Sequence, residues 1–502
     1  MKKTDKKGRQ VGKWAGCLIS ILFVTAYSLI VLAFLNEGLS FNHVGTLVIF
    51  AIAMTLCLIN IKRIVGFYQK HTKVINILMI ILIVLGFVAR FSLLTMQGNL
   101  SIKEPLSDTG IHWFGAQQIV EKGQFDQQIG DYERLFPYLS AYTGVLAVSM
   151  SIFGEDYSAI LFLNIFFDVI ACVTIYFLFF VWKQRRDVAL LAATIWAINP
   201  LQIMFCGLPL AIVVVNTIVI LSILSVMLLF KSKDSLVKVG AFSLLSGLIF
   251  ALGNAFRPVF VIFLIATVVV WGLIALNDKT KLKAAALSCL VLVLGYFLVG
   301  MVPSVIHAQF NPYYHGEKAR AGWGVYVGSN YETKGKWNPD DRDTFFGQVL
   351  VEQAGGDYEE AQSIIMKSAI KRYTDIVGQE KLLQHFFNKT TLTFGDVKNA
   401  TYDYGYVFGT TKDNEAYRLV QDLVLMFYSA VLIVVGYNLC LRFKRKEYVF
   451  EEDTMNYLLV LLVGLFAAFL LVEAMNRYSL PFVAILLIIA LGFAGKKKSL
   501  RV

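Results

Sequence analysis

Charge is scarce in this chain. Only 16% of its 502 residues are Asp, Glu, Lys or Arg, against 57% hydrophobic, a balance that excludes an ordinary soluble domain. Histidine is scarce too: six are present, with no pair at ligand spacing, so zinc is not expected. The six cysteines, Cys17, Cys57, Cys172, Cys206, Cys289 and Cys440, all lie within or at the ends of apolar runs. That placement excludes a disulfide framework and a cysteine metal site. No Gly-Lys pair has the spacing of a nucleotide phosphate loop. Internal repeats and low-complexity stretches are missing as well.

What the chain has in quantity is apolar runs long enough to cross a bilayer core of ~30 Å. Twelve are read as spans: 15–35, 44–61, 74–95, 157–182, 188–206, 210–230, 240–256, 259–276, 284–302, 419–441, 457–472 and 480–495. If the N-terminus is inside, the short inside segments carry more than half of the 46 Lys and Arg residues. The opposite hairpins at 36–43 and 207–209 carry none, and those near 254–258 and 473–479 carry one Arg each. This asymmetry is the positive-inside rule, and it puts both termini on the cytoplasmic face of a plasma membrane. The net charge of +11 is then explained by an anionic inner leaflet rather than by nucleic acid. Met1–Lys13 is basic and no small-residue cleavage signature follows, so the first helix is expected to be retained. A large outside loop without cysteine fits a bacterial protein better than one from a secretory pathway.

The expected fold is therefore an all-α polytopic bundle in four parts. Residues 1–73 hold a basic tail and two additional spans. Residues 74–302 form a transmembrane core with a first outside loop at 96–156. Residues 303–418 make a second outside region, and 419–502 the last spans and a basic tail. Tyr138–Phe153 is apolar but short. The charge rule favours an interfacial or re-entrant helix there, with a thirteenth span as the alternative. In the second outside region Asp357 precedes Glu360 by three residues, a capping-box spacing that predicts helix over 358–376, followed by another over 379–387.

Several polar residues stand out against this background. Asp108 opens the amphipathic stretch Ile111–Val120. It fits a general base at the membrane surface, a helix N-cap, or both. Arg257 and Arg477 are isolated cations on the face where positive charge is disfavoured. Each fits a lipid phosphate bound through its forked donors, a snorkelling helix end, or, for Arg477, a pair with Glu473. Arg90 and Asp168 sit inside apolar runs, where ionisable groups pair with one another or line a polar cavity. Asn164 and Asn216 are further lining candidates. Gly-rich sequence around Trp323, Asn330 and Trp337 suits a carbohydrate platform or a plain cluster of turns. Asn388-Lys389-Thr390 and Asn399-Ala400-Thr401 match a glycosylation sequon, a pattern common by chance.

Taken in order, these pieces resemble a family. A helix ending in a near-surface Arg, then an acidic residue opening an amphipathic helix, is similar to the first loop of GT-C membrane glycosyltransferases. The branch it resembles is that of protein O-mannosyltransferases and aminoarabinose transferases. Phe136-Pro137-Tyr138-Leu139 through Phe153-Gly154 resembles that family's juxtamembrane helix. Asn254–Pro258, Gly328-Ser329-Asn330, Gly335-Lys336-Trp337-Asn338 and Glu473 with Arg477-Tyr478 are similar to bacterial cell-surface glycosyltransferases. The likeness covers about residues 74–495.

The resemblance implies inverting transfer of a sugar from a polyprenyl-phosphate donor, on the outer face, to a wall polysaccharide, teichoic acid, glycolipid or protein. Asp108 would be the catalytic carboxylate. Arg257, Arg477, Tyr478 and Arg90 would hold the donor phosphate, with Glu473, Asp168 and Asn254 in support. Trp323, Asn330 and Trp337 would contact sugar or acceptor. No cofactor is implied, no residue is assigned to a metal, and dependence on a divalent ion is left open. Many relatives carry an acid in the second outside loop, where this chain has Gly207-Leu208-Pro209, so Asp168 or Glu473 would have to substitute. The rival class is a transporter or flippase of lipid-linked sugars, for which repeats and polar groups near the midplane are expected.

Overall fold

The computed structural model describes residues 6–38, 63, 67, 70–99, 102, 104, 106–300, 302–316, 321–397, 400, 415–445 and 452–492. The expected span at 44–61 and the sequon at 399 lie outside the described residues. Within them the chain is helical, with no strand. The elements are α1 (Lys6–Gly38), α2 (Thr72–Phe91), α3 (Asp108–Lys122), α4 (Gln127–Leu135), α5 (Leu139–Phe153), α6 (Tyr157–Lys183) and α7 (Arg186–Ala197). They continue as α8 (Pro200–Phe205), α9 (Ile212–Lys231), α10 (Leu236–Phe256), α11 (Val261–Asn277), α12 (Leu282–Gly300), α13 (Val302–Phe310) and α14 (Gly322–Gly328). The last are α15 (Pro339–Asp343), α16 (Tyr358–Gly378), α17 (Leu382–Thr390), α18 (Glu415–Arg445), α19 (Asp453–Leu471) and α20 (Leu480–Gly492).

Eight helical stretches among the described residues are long and apolar enough to cross a membrane, and Leu139–Phe153, Val261–Asn277 and Asn476–Gly492 are shorter apolar helices. The chain is a multi-pass membrane protein. One expected span differs. Residues 188–206 are two helices rather than one, because Pro200 excludes the preceding residue from helical geometry and Asn199 caps the next helix through Leu201 N at 3.1 Å. Elsewhere the spans pack closely through small residues. A Cβ on Gly247 of α10 would lie 2.4 Å from Leu292 O of α12, and Ser243 and Ser288 bond across that contact at 2.7 Å.

The two ends of the bundle are built differently. At the end the charge rule assigns to the inside, half-exposed ion pairs tie the turns together. Lys233 meets Asp453 at 2.7 Å, Lys281 meets Asp234, and Glu452 accepts from Trp182. At the other end sits a small helical domain with its own core of Leu135, Trp323, Tyr326, Phe345, Leu350 and Ile365. Its long helix starts where the capping spacing predicts, with Asp357 accepting from Glu359 N at 2.8 Å and Glu360 N at 3.0 Å. α5 packs on α3 and α6 with Val148 and Ile152 left exposed.

Candidate active site at one end of the bundle

Asp108 is the first residue of α3, and it is not the cap. Ser107 is, accepting from Gly110 N at 3.0 Å. The Asp108 carboxylate is therefore directed elsewhere, and it pairs with the Arg477 guanidinium from the turn before α20. The two are unequally covered: Arg477 is 9% exposed and Asp108 47%. Asn476 fixes that turn by donating to Asp396 O at 3.2 Å.

The neighbouring side chains extend the cluster. Arg257, where α10 ends, lies over the Tyr478 ring at 4.1 Å. The Tyr478 hydroxyl donates to Glu473 Oε2 at 3.3 Å. Burial pushes the Glu473 carboxyl up to about 7, against the Tyr478 bond and the charges of Arg257 and Lys389. Burial also pushes up the hydroxyls of Tyr132, Tyr138 and Tyr478, and each feels the Glu473 charge. All three stay neutral donors at physiological pH.

The backbone of Val472–Ala474 is clamped by the small helical domain. Glu473 N donates to Gly324 O and Ala474 N to Gly335 O, both at 2.8 Å. Glycine is required where the chains touch, since a Cβ on Gly328 would lie 2.4 Å from the Val472 carbonyl carbon. Behind that contact, Lys389 Nζ and His385 Nε2 reach Gly328 O at 2.8 and 2.9 Å. Burial pulls the Lys389 ammonium down to about 7, opposed by Glu473, and lowers His385.

The cluster thus gathers Asp108, Arg257, Arg477, Tyr478 and Glu473 of the residues singled out from sequence, with Asn254 one turn before Arg257. Arg90 and Asp168 are not part of it. They form a fully buried ion pair at 2.5 Å. Arg90 also donates to Gly86 O at 2.7 Å and Ala197 O at 2.6 Å, and Asp168 accepts from Trp196 Nε1 at 2.9 Å. Asn164 closes the 207–209 turn by donating to Cys206 O at 3.0 Å and Leu208 O at 2.9 Å, and Asn216 donates to Gln202 at 3.0 Å. Trp323 is in the small helical domain's core, in ring contact with Phe345. Asn330 builds a turn, donating to Asp341 at 3.0 Å. Trp337 is 42% exposed. Among the described residues no three His, Cys, Asp or Glu side chains gather as metal ligands would.

Sequence reasoning passed over Tyr132, Lys389 and His385. The i, i+4 spacing of His385 and Lys389 put them on one helix face, but nothing in the sequence said what that face meets.

No family model and no curated protein matches this chain. Among solved structures it is similar to an archaeal oligosaccharyltransferase, AglB from Archaeoglobus fulgidus, in complex with an inhibitory peptide and a dolichol-phosphate. The identity is 14% and the TM-score 0.42, over 85% of this chain and 50% of that one. The chain thus spans about half the length of that protein, and a likeness at this level carries no weight on what the chain does.

Proposed function

We propose that this protein is a GT-C-like glycosyltransferase that moves a sugar from a polyprenyl-phosphate donor to a cell-surface acceptor at the outer face of the membrane. One observation carries the reading. Asp108 and Arg477, 369 positions apart, meet at the end of a polytopic bundle beside a second arginine stacked on Tyr478. A half-exposed carboxylate paired with one guanidinium, with a second held on the neighbouring Tyr478 ring, supplies a base and phosphate-binding cations for transfer from a lipid phosphate.

In this mechanism the donor phosphate takes up the forked donors of Arg257 and Arg477. It competes with Asp108 for Arg477, which frees the carboxylate as the donor arrives. Asp108 then takes the proton of an acceptor hydroxyl whose oxygen attacks the anomeric carbon. The glycosidic bond to phosphate breaks with inversion, and the arginines hold the charge left on the departing polyprenyl phosphate. The Tyr478 ring positions Arg257 across its face, and Glu473 fixes Tyr478. The test is transfer by purified Asp108→Asn protein supplied with lipid-linked sugar. Transfer should fall by ~10²–10⁴-fold, the range a general base supplies, while donor still binds. Near-normal transfer would remove Asp108 from the chemistry and the reading with it.

A further inference from the structure

The helix α17 is amphipathic in an unusual setting. Its inward face carries His385 and Lys389, which reach Gly328 O behind the site. Its opposite face carries Leu383 and partly exposed Phe387, while Lys381, one turn before His385, lies over the Tyr331 ring on the inward side. Leu383 is 84% exposed, the most exposed large apolar side chain among the described residues. Exposed Val377 lies in the last turn of α16, just before this helix.

The height of this face relative to the spans follows from its neighbours. After α17 the chain enters a π-helical stretch, Thr391–Gly395, which packs between the ends of α1, α19 and α20. Gly395 lies so close to α1 that a Cβ there would be 2.3 Å from Ala33 O. Phe394 meets Phe466 of α19 at 5.6 Å and Phe482 of α20 at 4.6 Å between ring centroids. Ala33 and Phe466 are each five residues from the end of their helix, about 7–8 Å below it at 1.5 Å per residue. Tyr373, which adjoins His385 and Phe386, donates to Leu471 O at 2.9 Å, at the last residue of α19. Residues 385–386 are therefore level with the ends of the spans, Phe387 is just beneath, and Leu383 is less than a turn above.

We propose that α17 is a membrane-seated helix whose outward face, Leu383 and Phe387, rests in the headgroup and acyl boundary of the bilayer. A lipid surface is the partner because α17 packs beside α1 and α19, both long and apolar enough to be spans, and turns its apolar side away from the protein. An exposed apolar pair at that depth, on a helix whose other face is polar, is the pattern of helices that lie in the interface. The same helix carries Lys389 and His385 to the Gly328 contact, so the bilayer would steady that contact from outside. This inference rests on the membrane placement alone and stands apart from the reaction proposed above.

The test uses the full chain in vesicles of phosphatidylethanolamine and phosphatidylglycerol. The photoreactive residue p-benzoylphenylalanine replaces Leu383, with Phe166, exposed on α6, as the lipid-facing control and Asp340 as the control in the small helical domain. On irradiation, position 383 should give a phospholipid adduct on its peptide by mass spectrometry, as position 166 does and position 340 does not. A crosslink from 383 to a second copy of the chain would overturn the proposal, since the face would then be a protein interface. So would no lipid adduct at 383 in a sample where 166 gives one.

Discussion

Two of the arginine–aspartate pairs in this protein, Arg90 with Asp168 and Arg477 with Asp108, have opposite surroundings. Arg90 and Asp168 are both fully buried, and the carbonyls of Gly86 and Ala197 and the indole of Trp196 take up further bonding capacity. Arg477 is nearly as covered as Arg90, but its partner Asp108 is about half exposed. The first pair joins α2 and α6, donates to Ala197 O of α7 and accepts from the Trp196 indole of α7, so it fastens three apolar elements. The second joins the start of α3 to the turn before α20, and its carboxylate stays about half exposed. An ion pair with no open side resists exchange, whereas one with an accessible carboxylate is a site in which an anion can replace it.

Removing one partner from each pair should separate these roles. The largest effect on the fold is expected at the closed pair. Asp168→Ala leaves Arg90 buried without its carboxylate, a change that costs about 3–5 kcal/mol, read as a large drop in thermal unfolding temperature in mild detergent. The double change Arg90→Met with Asp168→Leu should recover most of it, because paired apolar replacements of similar volume are often near neutral. If the single change is silent, the pair does not hold the helices. At the open pair the signs reverse. Asp108→Asn should cost less stability than Asp168→Ala, because Asp108 is about half exposed and the Asn carbonyl can still accept from Arg477, while transfer falls by ~10²–10⁴-fold. A variant that loses both together would make the open pair structural as well.

A smaller effect is expected from the cations. Arg257→Ala and Arg477→Ala should each weaken donor binding by roughly 1.5–3 kcal/mol, the usual size of a charge-assisted bond. Arg90→Met in a background that keeps the fold, such as the double change above, should leave donor affinity unchanged. Equal weakening by all three would erase the distinction between the pairs.

The bundle was legible in the sequence because long apolar runs and the placement of Lys and Arg are set by the bilayer, residue by residue. Asp357 and its helix were legible for a local reason, since a cap acts within three positions. Pro200 was visible too, yet an apolar run from 188 to 206 masked its effect. The pairing of distant groups was legible only in part. Arg90 and Asp168 stood out together as ionisable groups inside apolar runs, where a mutual pair was one of two readings, and they do pair; nothing in the sequence joined Arg477 to Asp108, 369 positions away. Trp323 looked like a sugar platform because aromatic residues beside glycine have the same sequence signature in a core and on a surface. Glu473 was noticed as a neighbour of Arg477, but its bond to Tyr478 depends on how the turn before α20 is folded.

The finest discrimination concerns pH, because the open site contains two groups that titrate near neutrality and the donor phosphodiester does not. Glu473 is held up at about 7 and Lys389 down at about 7. As pH rises through that value Glu473 gains a negative charge and Lys389 loses a positive one, so both changes disfavour an anionic ligand. The tyrosines facing them, Tyr132, Tyr138 and Tyr478, stay neutral because burial raises them, and His385 stays neutral because burial lowers it. Donor affinity should therefore be higher at pH 6 than at pH 8, by roughly 1 kcal/mol per charge at most in a half-open cleft, or about five-fold for each group. Glu473→Gln should remove one part of the slope and tighten binding at pH 8, while Lys389→Met should remove the other and weaken binding at pH 6. Stability runs the same way for the acid. Its folded-state value lies above the ordinary 4.5, so the folded protein binds more protons and stability falls as pH rises from about 4.5 through 7. The Gln variant should lack that decline. The closed pair adds nothing to the binding slope, since both its side chains are fully buried. A donor affinity that is flat from pH 6 to 8 in the unmodified protein would mean that Glu473 and Lys389 do not face the bound phosphate, and would leave Arg257 and Arg477 as its only charged partners.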